Sequence, residues 1–409
     1  MTTSLIQLFQ ACLILVIVQG LAALPWIIAF DRKSFFRALK DPIILAYIIG
    51  SIVGFSALFA WFISGRRIEK VLIDWGRVYG AVLHAQLALD MLVIMPQILL
   101  LISPKIGAVA LSAFREGWRQ PMFWLIAVLT TILLFASMTI PYFTFGEDYK
   151  MMKQLGFDLV MLSSALFGLL AASLSINEEI EGRTAITVIS KPINRRQFLL
   201  GKYLGTLMAC WAMTLVLGWV LNLTLYIKPH FDRLDDVFDS MPIEMTNKLT
   251  PILKAVVPTA EIKSFSEGTS AWLGESIAHH TGLVMTFGQV MVLLAICIAL
   301  ATRMQFVVNL VICLFIFFLG HLAPVLVLAT QQMAQGTDAL KLVNFIAQLL
   351  NAIFPSLQYF DMGPAIVRDS DLVYFAFLRY VVTVCAYAIL YSAIGLFIGL
   401  ILFEDRDLA

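Results

Sequence analysis

Eight charged side chains fall between Glu178 and Lys202: Glu178, Glu179, Glu181, Arg183, Lys191, Arg195, Arg196 and Lys202. Acids open the stretch, bases close it, and short apolar residues (Ala185, Ile186, Val188, Ile189) lie between. Gly182 breaks the run, and Pro192 with Asn194 marks a turn. Asn194 is placed to cap a helix beginning near Arg195. A segment that only anchors to lipid needs Lys and Arg alone. This mixture suits a projecting helix–turn–helix surface that docks on another protein; the alternative is a solvated loop on the basic side of a membrane. A second group is Glu275 with His279 and His280. Its E-x-x-x-H-H spacing suits a metal, against the ordinary structural role of a boundary histidine pair. A third is His84, Asp90 and Asp158, ionisable residues in apolar runs, which an ion-coupled transporter would use. His84 and Asp90 are six apart and do not share a helix face well.

These residues need elements to hold them, and composition says which. The chain has 409 residues, 60% hydrophobic and 13% charged, against about 25% charged in soluble domains. The net charge of +1 argues against a nucleic-acid partner. The five cysteines (Cys12, Cys210, Cys297, Cys313, Cys385) lie in apolar runs without metal or disulfide spacing. Nine runs reach or approach the ~20 residues that cross a bilayer: 4–30, 42–64, 78–103, 121–142, 156–176, 203–227, 281–301, 306–329 and 374–403. The expected fold is an all-α polytopic membrane protein of about nine transmembrane helices.

Basic excess gives the expected sidedness. Segments 31–41, 105–120 and 177–202 each carry net +2, whereas 228–280 carries −3 and 331–373 carries −2. The first three are expected in the cytoplasm and the last two outside, with the N-terminus outside and the C-terminus cytoplasmic. Segment 65–77 also carries +2, yet nine spans put it outside. Segment 228–280 reads as a small extracytoplasmic helical cap. Residues 343–365, interrupted by Asn344, Asn351 and Pro355, read as a re-entrant or interfacial piece.

Ahead of the fourth run, "SAFREGWRQPMFW" puts Arg115 and Arg119 on one helical face and Phe114 and Trp118 on another, with Pro121 opening the span. That is an interfacial helix at the inner leaflet, expected at 108–120. "SFFRALKDPIIL" is a weaker copy before the second run.

Three stretches, in order, resemble the membrane subunit of an ABC-2 type ABC transporter. "FREGWRQPMFW" resembles the elbow helix of that family. "EEIEGRTAITVISKPINRRQFLLGKYLG" resembles the E-E-x-x-x-[GR]-T…[SP]-x-x-R-x-x-[FL]-x-x-G-K coupling segment. "GLFIGLILFEDRDLA" resembles the F-x-x-R-D-L ending. The resemblance implies a permease core over 104–409, preceded by a three-helix membrane extension over 1–103 like those of some bacterial members. It implies an ATPase-coupling surface in segment 177–202 made of Glu178, Glu179, Glu181, Gly182, Arg183, Thr184, Lys191, Pro192, Arg195, Arg196 and Lys202. It implies a multi-pass protein of the bacterial inner membrane, paired with a second permease, identical or not, in contact with membrane lipids. ATP and Mg would bind a partner ABC ATPase subunit, since this chain has no G-x-x-x-x-G-K-[ST] loop; it would not itself be an enzyme and would bind no cofactor. Export is the family-level expectation; the scarcity of polar residues in the core spans favours a lipidic or amphipathic cargo, or mechanical work, over a strongly polar solute. Three alternatives stay open: ATP-driven work on extracytoplasmic proteins without a pore, ion-coupled secondary transport, and an intramembrane metalloenzyme, which lacks an H-E-x-x-H motif here.

Overall fold

The computed structural model describes residues 2–65, 68–140, 142, 147–181, 193–231, 240–255, 260–333, 338–367 and 373–404. Among these the chain is helical, with no strand. A backbone in hydrocarbon has to satisfy its own N–H and C=O groups, and a helix does so within one segment.

Two compact units divide the chain. The first gathers Met1–Gln97, Phe238–His280 and Asp371–Tyr374; the second gathers Ile98–Val237, Thr281–Ser370 and Phe375–Ala409. In order, the helices are α1 (Thr2–Phe30), α2 (Arg32–Ala38), α3 (Pro42–Ser64), α4 (Glu69–Ile102), α5 (Pro104–Arg119), α6 (Pro121–Ser137) and α7 (Asp148–Glu181). There follow α8 (Arg195–Phe231), α9 (Ser240–Ala255), α10 (Ala260–Ala301), α11 (Phe306–Met333), α12 (Asp338–Ile353), a 3₁₀ turn (Leu357–Phe360), α13 (Gly363–Val367) and α14 (Tyr374–Glu404).

Among the described residues, eight helices are long and apolar enough to cross a membrane: α1, α3, α4, α7, α8, α10, α11 and α14. The pair α5 and α6, bent by 57°, would make a ninth. Several helices outrun their apolar stretches. The fifth and sixth runs extend to Asp148–Glu181 and Arg195–Phe231, and α4 starts at Glu69. Glu, Lys and Arg are good helix formers, so charge ends the hydrocarbon part of a span without ending the helix. The largest difference is in the segment expected as a separate cap. Helix α10 runs unbroken from Ala260 to Ala301, so its first half is the continuation of a span. The 343–365 piece is α12, which begins earlier at Asp338, a break at Pro355, the 3₁₀ turn and α13.

Within the first unit, glycines bring α4 and α10 into backbone contact. A Cβ on Gly76 would collide with the Phe265 carbonyl, one on Gly268 with the Ile73 carbonyl, and one on Gly80 would stand 3.1 Å from Trp272 Cβ. One turn further along both helices, His84 meets Ser276 and His280. The pairings advance together, so α4 and α10 run in the same direction. The starts of α4 and α10 therefore lie at the same end of this pair, where Arg77 and Glu275 are joined at 3.0 Å.

Helix α9 carries a device at its Glu244. That carboxylate accepts from the Lys248 ammonium and from the first backbone N–H of α14, at Tyr374, 2.7 Å away, a helix-terminal donor that has no acceptor within its own helix. Chiefly the Lys248 hydrogen bond, and then the Tyr374 one, hold the Glu244 carboxyl below the usual carboxylate range. A depressed native pKa gives stabilisation that is complete above the unfolded value and lost as pH falls through the native one. Hydrogen exchange should therefore show Tyr374 protected at neutral pH and progressively exposed below about pH 4.5. In Glu244→Gln the protection should be weaker and should no longer respond to acid.

Candidate coupling site

Three small residues on α5 meet three on α8 in the second unit. A Cβ on Gly201 would stand 2.5 Å from Val109 Cβ; one on Gly205 would stand 2.6 Å from Ala113 Cβ and collide with the Ala110 carbonyl; one on Gly117 would stand 3.1 Å from Ala209 Cβ. The pairs step by four residues on both helices, so α5 and α8 run parallel with touching backbones. Small residues at four-residue spacing permit this approach, and close van der Waals packing drives it where lipid removes the hydrophobic advantage. Helix α8 continues straight through Gly201, so that glycine admits a neighbour instead of making a bend.

The remaining faces of α5 are as the sequence implies. Arg115 and Arg119 are exposed, Phe114 and Trp118 are half-buried, and Trp118 packs on Phe123 and Trp124 at 4.9 and 5.2 Å. Gln120 and Pro121 form the bend into α6.

Lys202, one residue after Gly201, is buried at 5% exposure. Its Nζ reaches Glu179 Oε1 at 2.6 Å, Ser175 Oγ at 2.7 Å and Glu116 Oε2 at 3.5 Å. One ammonium thus ties the end of α7, the start of α8 and the end of α5. A buried cation is tolerated only with such partners. Glu178 precedes Glu179, and Glu181 is the last residue of α7. Gly182, Arg183, Thr184, Lys191 and Pro192 lie outside the described residues. At the start of α8, the Gln197 side chain accepts from the Asn194 N–H at 3.1 Å, the return half of a capping box.

Arg195 and Arg196 do not simply project. Arg195 Nη1 donates to the carbonyls of Phe403 and Glu404 at 2.8 and 2.9 Å, and its guanidinium lies 5.6 Å from the Phe403 ring. Arg196, largely exposed, pairs with the Glu404 carboxylate at 3.0 Å. Arg303 Nε donates to the Leu402 carbonyl at 2.8 Å. Three arginines therefore gather at the C-terminal end of α14, where unpaired carbonyls and the helix dipole attract cations. Phe198 and Phe403 stack below them, with Val109 of α5 in the same buried cluster. Sequence reasoning missed Arg303 and Glu404. Their signal was faint: a lone arginine between two apolar runs, and an acid directly after the last one.

The other candidates are not assembled with this site. Glu275 binds Arg77, while His280 Nε2 faces His84 Nε2 at 3.3 Å and Ser276 Oγ faces His84 Nδ1 at 3.2 Å. His279 is buried. Glu275, His279 and His280 do not converge, and no three His, Cys, Asp or Glu side chains among the described residues form a metal-holding group. Asp90 is buried elsewhere on α4, apart from His84, and Asp158 is on an exposed face of α7.

Polar residues of the core helices bond to one another. Thr130 meets Ser163 at 2.6 Å, Ser164 meets Thr214 at 2.8 Å, and Asn309 Nδ2 donates to Ser173 Oγ at 2.7 Å and the Cys297 carbonyl at 3.1 Å. These are interhelical ties.

Fold and site together define an all-α, multi-pass membrane protein with a clasped junction where α5, α7, α8 and α14 meet. Residues 118–258 match the family model described as ABC-2 family transporter protein, the family that the motifs resemble. The matched stretch runs from Trp118 through α6, α7 and α8 and includes the charged segment. A search of curated proteins gave no match.

The clasp makes a measurable prediction. Lys202→Met removes the ammonium that Glu179, Ser175 and Glu116 share; the penalty should be about 2 kcal/mol, below the ~3–5 for a fully enclosed pair because both acids keep some solvent. It should read as a lower melting temperature of the detergent-solubilised protein. Gly205→Leu should be worse, because a backbone has to move.

Proposed function

We propose that the chain is the permease subunit of an ABC-2 type transporter and that segment 177–202 transmits force from a separate ABC ATPase subunit. The carrying observation is Lys202, bonded at once to α7 and α5 from α8. Any push on the segment joining α7 to α8 reaches the elbow helix through that ammonium, and reaches α14 through Arg195 and Arg196. The family match over 118–258 supports the same reading. ATP and Mg bind and react on the partner; this chain performs no catalysis. Two permeases, alike or not, pair in the bacterial inner membrane with the charged segment and the C-terminus in the cytoplasm, and rock between two states.

The interhelical bonding of core Ser, Thr and Asn side chains favours a lipidic or amphipathic cargo over a strongly polar one. Mechanical work on extracytoplasmic proteins is the second reading. It is favoured by one observation: Phe238–His280 folds into one unit with Met1–Gln97, giving the outer segment a helical base.

Arg195 is a poor test residue because α14 needs it. Lys191→Glu with Arg196→Glu should leave membrane insertion intact and reduce ATP turnover of the co-expressed ATPase complex about tenfold. Unchanged turnover would remove both side chains from the interface. Failure of any ABC ATPase to co-purify with the chain would sink the assignment.

A further inference from the structure

Segment 31–41 joins α1 to α3 within the first unit and is built around the short helix α2. It carries Arg32, Lys33, Arg37 and Lys40 against Asp31 and Asp41. Both acids are turned to backbone. Asp31 Oδ1 accepts from the Ser34 N–H at 2.9 Å and caps α2. Asp41 Oδ1 accepts from the Ile43 N–H at 2.9 Å and caps α3, with Pro42 opening that helix. All four basic side chains are exposed, and among the described residues none of them forms an ion pair. At about 100° per residue, Arg32, Lys33 and Arg37 fall within an arc of about 140°, and Lys40 follows in the turn that ends the helix. Phe35 and Ala38, both half-buried, lie on the other side. Phe36 borders the basic arc, and the Arg32 guanidinium lies 5.9 Å from its ring. Phe30, Phe36 and Leu39 are exposed apolar side chains among these charges.

Chain connectivity decides what this surface meets. Helix α1 ends at Phe30 and α3 begins at Pro42, and both are of bilayer length. The segment between them therefore has no slack to leave the membrane surface, and at that depth lie lipid phosphates. Cations gathered at the end of a membrane helix, on an amphipathic piece with Phe and Leu, are the pattern that attracts acidic headgroups. We propose that segment 31–41 binds the headgroups of anionic phospholipids, with phosphates against Arg32, Lys33, Arg37 and Lys40 and with Phe36 and Leu39 seated among the upper acyl carbons. A zwitterionic headgroup brings its own ammonium beside the phosphate and gains less from the same cations. The difference is about fivefold for one well-placed cation. This inference does not depend on the ABC-2 reading.

The test uses the full chain in phosphatidylcholine vesicles doped with a trace of phosphatidylglycerol or of phosphatidylcholine, each carrying the same photoactivatable diazirine high on one acyl chain. After illumination and digestion, mass spectrometry measures the lipid attached to residues 31–41. Attachment should be about fivefold greater for phosphatidylglycerol, and about 1 M salt should bring the ratio close to one. Replacing all four cations by glutamine (Arg32→Gln, Lys33→Gln, Arg37→Gln and Lys40→Gln) should abolish the preference and keep the attachment of phosphatidylcholine. Arg32→Lys with Arg37→Lys, which keeps the charge, should keep the preference. Equal attachment of the two lipids at low salt would overturn the proposal, as would a preference that survives the fourfold substitution. A preference indifferent to salt would also overturn it, and that measurement needs no variant to fold. So would attachment to 31–41 that appears only after a co-purified acidic protein is stripped away, because the partner would then be that protein.

Discussion

The second unit depends on how closely α5 and α8 approach. Glycines at 201 and 205, with Gly117 facing Ala209, let α5 and α8 pack closely along parallel helices. That approach brings Glu116 within reach of Lys202, and the same ammonium holds Glu179. In hydrocarbon, apolar side chains gain little by leaving lipid for one another, so steric fit and a few polar ties decide which helices pair. The site is a consequence of packing: the charge cluster stands where it does because small residues admit α5 against α8.

The same physics recurs with different residues in the first unit. Gly76, Gly80 and Gly268 join α4 to α10, and the bonds Arg77–Glu275 and His84–His280 close the seam. Both units thus use glycine contact first and a polar tie second. Arg195 and Arg196 at the start of α8, with Arg303, bind the end of α14 and add a third element to the junction in the second unit.

Much of this was legible in the chain itself. Apolar runs of bilayer length fixed the membrane class and located the spans, because a helix in lipid needs about 20 apolar residues whatever it packs against. That a helix precedes Pro121 was readable from Arg115 and Arg119 against Phe114 and Trp118, and the start of α8 from Asn194 and Pro192. The charged segment stood out because charge is rare elsewhere in this sequence. Periodicity and composition are local properties, and each of these features is local.

The tertiary structure decided what distance along the chain conceals. Lys202 and Glu116 are far apart in sequence, as are Arg195 and Phe403, and nothing in either neighbourhood names its partner. The histidine pair read more readily as structural than as a ligand set, but nothing in the sequence named Arg77 as the partner of Glu275 or His84 as that of His280. Residues 228–280 read as a small cap because charge and proline set them off, yet α10 runs unbroken through its end, and Phe238–His280 folds with the N-terminal helices. Sequence determined which stretches enter the membrane, since burial in lipid is a property of each stretch alone. Which stretches touch is settled by shape, one missing methyl group at a time, and shape exists only once the chain has folded.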